Sequence, residues 1–368
     1  MRIAFDAYHA LFQSGGIARY ARGLISAIAE IQKKNCLILF YNRFFEKGKP
    51  WRPPNGNSRI KQVFVPRRLL QGAWETLKWP SAEFFCGSID LFHGLHFVLP
   101  PVRNARRILT VHDLTYLKYP DYFLNRALNE CGYQRELPMS LGCTDAVIAV
   151  SQKTREDLIE ILKIPQEKVR VIYEGVDAHF FKPVNEKEKA AIRTLYNLSA
   201  PYIVFLVGTP EPRKNLIKAV AAARQAAPHL TLVLIGPEKP LKSLLNDDFR
   251  NINFTGIVPE EHLPALISGA QMSLYPSLYE GFGLPVLESM ACGVPVITSS
   301  RGALPEVAGG AALFVDPEDL DSIAGAISEL INDDMLQNRL KIAGIKRAAE
   351  FTWQKAAEET LSLYRELI

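Results

Sequence analysis

The chain contains no run of about 18 uninterrupted apolar residues, which leaves no segment suited to cross a bilayer as a helix. It has no G-x-G-x-x-G, so the dinucleotide-binding fingerprint is absent. Its five cysteines, at 36, 86, 131, 143 and 292, are odd in number and scattered, with no C-x-x-C pair. Reduced thiols are expected, as in a cytosolic protein. No low-complexity tract appears. The sequence opens directly on a strand-like run, Arg2 to Asp6, with no leader-like segment before it, and a cytoplasmic location is expected. His93 and His96 stand at a spacing that could hold a metal, yet no third ligand accompanies them, and no metal site is assigned.

What is present describes a globular protein of ordinary composition. With 368 residues, 48% hydrophobic and 22% charged, the chain is long enough for two domains, each with its own core. The net charge of +4 hides an asymmetry. Residues 1–185 carry 26 Lys and Arg against 17 Asp and Glu, whereas 186–368 carry 17 against 22. Much of the basic excess lies at Arg59, Lys61, Arg67, Arg68 and Lys78, interleaved with Phe64, Leu69, Leu70, Trp74, Leu77 and Trp79. That mixture suits peripheral contact with an anionic membrane. It equally suits an ordinary solvated helix with an apolar core side. Nothing in it forms a nucleic-acid-binding module.

Short β-branched runs alternate with helix-length segments throughout. The strands expected in the first half are Arg2–Asp6, Leu37–Tyr41, Gln62–Val65, Leu91–His93, Ile108–His112 and Ala146–Val150. Tyr202–Val207, Leu230–Ile235, Ile252–Phe254, Met272–Tyr275, Val294–Thr298 and Ala312–Val315 follow in the second. This rhythm implies right-handed βαβ units and two parallel sheets. Domains are expected over 1–183 and 184–352, with a terminal amphipathic helix over 353–368.

The chemistry concentrates in loops that follow strands. Glu280-Gly-Phe-Gly-Leu-Pro-Val-Leu-Glu288 sets two carboxylates eight positions apart across a glycine turn, one at a strand end and one inside the next helix. An α/β sheet opens its ligand crevice at such a strand end. Gly281 and Gly283 allow close backbone approach. Val207-Gly-Thr-Pro-Glu-Pro-Arg213-Lys214-Asn215 brings two adjacent cations to a second strand end, suited to the charge of a departing diphosphate. Gly15-Gly16, directly before the apolar-periodic residues Ile17, Tyr20, Leu24 and Ile28, is either a phosphate-proximal loop at a helix start or a simple turn. His112-Asp113 ends another strand, and Gly256-Ile257-Val258 follows an edge suited to a base. Asp319 and Asp321 spell D-x-D on a charged helix and are expected to face solvent.

The Glu280–Glu288 segment resembles the E-x7-E signature of the family 4 retaining glycosyltransferases, which have the GT-B fold. Gly15-Gly16-Ile-Ala-Arg-Tyr20, His112-Asp113, Ala149-Val-Ser151, Glu174-Gly-Val-Asp177, Pro212-Arg-Lys-Asn215 and Leu304-Pro-Glu306 match the family in order over nearly the whole chain. The resemblance implies two Rossmann-like domains with parallel sheets facing across a cleft, the N-terminal one binding acceptor and the C-terminal one a nucleotide sugar, with the last helix packing back on the first domain. It implies transfer of a hexose with retained anomeric configuration and without metal or cofactor. His112, Glu280, Arg213 and Lys214 would be catalytic. Gly15, Gly16, Ile257, Phe282, Gly283, Leu284 and Glu288 would complete the donor site, Glu280 on sugar hydroxyls and Glu288 on the ribose. Thr209 departs from many relatives, which carry Arg there. The Gly-Ile-Ala-Arg-Tyr and Pro-Arg-Lys-Asn forms look most like bacterial polysaccharide and O-antigen mannosyltransferases, so GDP-mannose is the expected donor and a glycan or lipid-linked glycan the acceptor, at the inner face of the cell membrane. The alternatives are a UDP-sugar glycosyltransferase, an epimerase or a phosphorylase-like enzyme of the same fold, and a sugar-nucleotide-binding protein without activity.

Overall fold

The computed structural model describes residues 1–12, 15–33, 36–42, 51–53, 58–122, 135–177, 179–245 and 249–368. Cys131 lies outside them, as do the side chains of Arg67 and Arg68. The chain divides into two compact units. The first is built from the described residues of Met1–Lys118, Asn125–Gly175 and Trp353–Ile368, the second from those of Tyr119–Leu124 and Val176–Thr352. The division at Gly175–Val176 precedes the expected 183, because the backbone N–H of Val176 already donates to the Phe351 carbonyl of the second unit.

The first unit holds a seven-stranded parallel sheet in the order β3-β2-β1-β4-β5-β6-β7. Its strands are β1 (Arg2–Asp6), β2 (Cys36–Asn42), β3 (Ser58–Val63), β4 (Leu91–Gly94), β5 (Arg106–Val111), β6 (Ala146–Ala149) and β7 (Val169–Val171). Central strands read as continuous apolar runs because helices cover both faces of a parallel sheet. Ile3, Ala4 and Phe5 of β1 and Leu37 to Tyr41 of β2 are buried. The edges read differently. β3 exposes Arg59 and Lys61, which shifted the expected strand toward the more apolar Gln62–Val65, and three-residue β7 carries too little pattern to be expected at all.

Helix Trp353–Leu367 belongs to this unit and lies along helix Gly16–Ile31. Gly23 makes room for it, since a Cβ there would stand 2.2 Å from the Trp353 indole. The Tyr364 hydroxyl reaches His93 on β4 at 2.6 Å.

The second unit holds a six-stranded parallel sheet, β10-β9-β8-β11-β12-β13. It comprises β8 (Tyr202–Leu206), β9 (Thr231–Ile235), β10 (Ile252–Gly256), β11 (Met272–Tyr275), β12 (Val296–Ser299) and β13 (Leu313–Val315). Both orders are doubly wound. Strand order reverses beside β1 in one unit and beside β8 in the other, and an open α/β sheet binds ligands at the carboxyl ends of strands flanking that point.

Candidate functional site

In the second unit the loops leaving β8 and β11 flank the switch point. The β8 loop makes one 3-10 turn, Pro212–Lys214, and Asn215 then takes the left-handed conformation (φ 59°, ψ 35°) that Asn tolerates better than most residues. Its side-chain amide donates to the Pro276 carbonyl at 3.0 Å and the Pro317 carbonyl at 2.6 Å. One buried Asn thereby ties together the loops after β8, β11 and β13.

This bracing brings Arg213, Lys214 and Glu280 into one cluster. Glu280 Oε2 accepts from Arg213 Nη1 and Oε1 from Lys214 Nζ, both at 2.6 Å. The Tyr275 hydroxyl donates to Glu280 Oε1 at 3.0 Å and accepts from Lys214 Nζ at 2.5 Å. Arg213 Nε also donates to Glu211 Oε2 at 2.6 Å. Burial alone would raise the Glu280 pKa, but Arg213 and Lys214 outweigh it and hold the carboxyl at about 2. Burial, aided by neighbouring Arg213, lowers the Lys214 pKa against the pull of Glu280. Lys214 and Glu280 are 8% and 7% exposed, so these side chains are internally paired groups at a strand end and not free ones lining an open crevice. Sequence reading missed Glu211 and Tyr275 as members. The spacing of Glu211 two residues before Arg213 was the available signal for the first.

The Glu280 backbone is held as closely as its side chain. The Ala303 N–H donates to the Glu280 carbonyl at 3.0 Å. Gly302 (φ +64°) permits that approach, because a Cβ there would stand 2.7 Å from Glu280 O and 2.9 Å from Glu280 N. This is the local reason for a glycine just before Leu304-Pro-Glu306.

The other donor-loop residues divide. Phe282, Leu284 and Glu288 are buried, with Phe282 edge-on to Phe351 and Glu288 inside helix Leu284–Ala291. Gly283 supplies the left-handed N-cap of that helix (φ 115°). Ile257 is 78% exposed beyond β10, an edge strand separated from β8 by β9, and makes no part of the charged cluster. Asp319 caps helix Leu320–Asn332, and Asp321 accepts from Gln225.

In the first unit Gly15 (φ 111°) and Gly16 open helix Gly16–Ile31, and among the described residues no atom beyond their chain neighbours and the helix's own backbone lies within 4 Å of where either Cβ would stand. Both glycines are exposed, as a phosphate-proximal loop requires. His112 follows β5 and is 8% exposed. Its Nδ1 lies 3.0 Å from Glu174 Oε1 and its Nε2 3.1 Å from the Leu95 carbonyl. Both ring nitrogens are therefore engaged, leaving no uncommitted N–H for a sugar hydroxyl. Asp113 accepts from the Thr115 N–H. His93 bonds Tyr364 and Thr110 through its two nitrogens, while His96 packs 4.2 Å from the His9 ring. Among the described residues no group of three His, Cys, Asp or Glu side chains is arranged to hold a metal ion.

The basic stretch is divided. Leu70 is buried and Trp74 donates to the Pro80 carbonyl, so helix Arg67–Leu77 has a core side. Phe64, Leu69, Leu77, Trp79 and Phe84 remain exposed beside exposed Arg59, Lys61 and Lys78. No helix among the described residues is long and apolar enough to cross a membrane.

Two doubly wound parallel units, one with paired cations and a carboxylate at its switch point, place the chain in the class of α/β proteins that bind ligands at strand ends. The comparisons agree. Residues 14–180 match the model for Glycosyltransferase Family 4, and residues 189–347 that for Glycosyl transferases group 1. An O-antigen chain mannosyltransferase B of Escherichia coli is 29% identical over 99% of this chain and 100% of its own length. An MMP alpha-(1->4)-mannosyltransferase of Mycolicibacterium hassiacum is 32% identical over 60% of this chain and 54% of that protein. The solved sucrose-phosphate synthase of Thermosynechococcus elongatus superposes with a TM-score of 0.78 at 26% identity, covering 100% of this chain and 99% of that one. The chain carries a Glycosyltransferase Family 4 domain followed by a Glycosyl transferases group 1 domain, has the GT-B fold, and is a glycosyltransferase.

Proposed function

We propose that this protein transfers mannose from GDP-mannose to a hydroxyl of a lipid-linked glycan during cell-surface polysaccharide synthesis, with retention at the anomeric carbon and without a metal. The observation that carries the reading is the Arg213–Lys214–Glu280–Tyr275 cluster at the β8–β11 switch point. The bond from the anomeric carbon to the phosphate oxygen breaks, and the acceptor oxygen bonds to the same face of that carbon. The acceptor's proton passes to the departing phosphate oxygen. Arg213 and Lys214 take up the charge that grows on the diphosphate, a role otherwise filled by a metal ion, and Gly15-Gly16 at a helix start is the first unit's own candidate for a phosphate. Glu280 accepts from sugar hydroxyls and Glu288 from the ribose, since ionised carboxylates only accept. Phe282, Gly283 and Leu284 offer backbone amides, Ile257 the edge for the base, and His112 stands beside the transferred sugar. The mannosyltransferase names of the relatives support the donor.

A lipid-linked acceptor fits the exposed Phe64, Leu69, Leu77, Trp79 and Phe84 beside Arg59, Lys61 and Lys78, which suit reversible contact with anionic lipid. The deciding experiment offers the purified protein GDP-mannose and UDP-sugars in turn, with a short glycan acceptor, with and without EDTA. Transfer from GDP-mannose in EDTA, with a retained configuration by NMR of the product, is expected. Transfer from UDP-sugars alone, or activity abolished by EDTA and restored by Mn²⁺, would sink the corresponding part.

A further inference from the structure

The setting of His112 is more specific than a strand-end histidine needs. Its two nitrogens face a carboxylate at 3.0 Å and a backbone carbonyl at 3.1 Å. Neither an ionised carboxylate nor a carbonyl can donate, and a neutral imidazole has only one proton, so satisfying both contacts requires a ring that is protonated twice. The surroundings hold that ring in place. The Tyr20 ring meets it edge-on, with centroids 4.8 Å apart at 88°, while the Tyr20 hydroxyl is turned away onto Thr110 Oγ1 at 2.9 Å. Thr154 Oγ1 donates to the His112 carbonyl at 3.1 Å from helix Gln152–Leu162.

The charged and titratable groups facing His112 are Glu174 from the segment after β7, Asp113 beside it in the chain, His93 from β4 and Tyr20 from helix Gly16–Ile31. Burial and the nearby His112 hold His93 down to about 3, so it adds no competing charge. Burial opposes a charged His112, yet Glu174, the Leu95 carbonyl and Asp113 together raise its pKa above the usual histidine value.

We propose that Glu174 is a positioning residue for glycosyl transfer: it fixes His112 at the end of β5 as an imidazolium whose two N–H groups are both committed to the protein. The ring then contributes fixed charge beside the donor and exchanges no proton during turnover. The inference rests on the placement of His112 beside the transferred sugar, and it identifies a function for the glutamate of Glu174-Gly-Val-Asp177.

The first test is nitrogen NMR of the histidine-labelled full chain, assigned with His112→Asn, which reports ring protonation whether or not the enzyme is active. The expected result is a His112 ring still protonated at both nitrogens above the ordinary histidine pKa of about 6.5. A neutral ring, with the shared proton on Glu174, would overturn the proposal. The second test is the pH dependence of transfer in Glu174→Gln and Glu174→Asp, with thermal melting to confirm folding. Wild type should show its His112 ionisation displaced upward from the ordinary histidine value. Glu174→Gln should stay near wild type at pH 6 and lose about tenfold to a hundredfold in kcat as pH rises, the scale of one charge-assisted hydrogen bond. Glu174→Asp should recover part of the loss. A Glu174→Gln profile parallel to wild type would refute the positioning role. Wild type that binds no nucleotide sugar and transfers nothing would instead defeat the proposed function, leaving the NMR result to stand separately.

Discussion

Replacing Glu280 by Gln should weaken the fold, slow transfer and yet tighten the hold on a nucleoside diphosphate. The change keeps the shape and removes one negative charge from between Arg213 and Lys214, each 2.6 Å from a different carboxylate oxygen. Holding the carboxyl at about 2 against a reference of 4.5 corresponds to about 3 kcal/mol of preference for its ionised form in the native state. Removing one partner of a buried pair costs a similar amount, roughly 3–5 kcal/mol. The sign with pH follows from the lowered pKa. The contribution is present above the unfolded value near 4.5 and fades as pH falls toward 2. Urea unfolding of wild type and Glu280→Gln should therefore differ by about 3 kcal/mol at pH 7 and converge in acid.

Binding should move the other way. Without the carboxylate, Arg213 keeps Glu211 but Lys214 loses its nearest anion. A like charge a few ångströms away in a partly buried site is worth a few kcal/mol, so GDP should bind at least about tenfold more tightly by calorimetry. Turnover should fall because the sugar hydroxyls lose an ionised acceptor and face a weaker amide oxygen in its place. Diphosphate affinity that drops in step with kcat, or stability unchanged at pH 7, would refute the self-neutralised cluster.

Gly302→Ala should lower stability by at least about 2 kcal/mol and depress transfer without altering any charge, since the new Cβ meets the Glu280 backbone at a positive φ; a melting temperature equal to wild type would show that the loop can yield. Gly23→Ala should cost about 1–3 kcal/mol in chemical unfolding by pushing the Trp353 indole off helix Gly16–Ile31. His112 has a raised pKa, so its contribution is full below about 6.5 and is lost as pH climbs through the folded value; thermal scans should show Glu174→Gln losing the alkaline decline that wild type displays. Changing Arg59, Lys61 and Lys78 to Glu should abolish co-sedimentation with anionic vesicles at low salt, and equal sedimentation of variant and wild type would favour a soluble acceptor.

Much of this was legible because the chemistry follows strand ends, and strand ends are marked by apolar runs that stop at Gly or Pro. Val207-Gly208 and Tyr275-Pro276 both carry that mark, so Arg213, Lys214 and Glu280 could be placed in loops after strand ends from the sequence pattern. Their mutual pairing could not. It depends on β11 lying beside β8, a neighbour 66 residues away in sequence for the Lys214–Glu280 bond, and on Asn215 bridging three loops. Gly302 was equally silent, because the backbone it makes room for belongs to another loop.

The consequence of that hidden pairing reaches the mechanism. Cations free in an open crevice would bind any anion that entered. Here the carboxylate that the proposed reaction needs for the sugar occupies the cations that the reaction needs for the diphosphate. A bare phosphate that drew Lys214 away would leave the Glu280 carboxylate short of one of its donors, whereas a complete sugar nucleotide would bring phosphate oxygens and sugar hydroxyls together. Discrimination between the whole donor and its fragments can thus arise from the exchange of partners within one buried cluster.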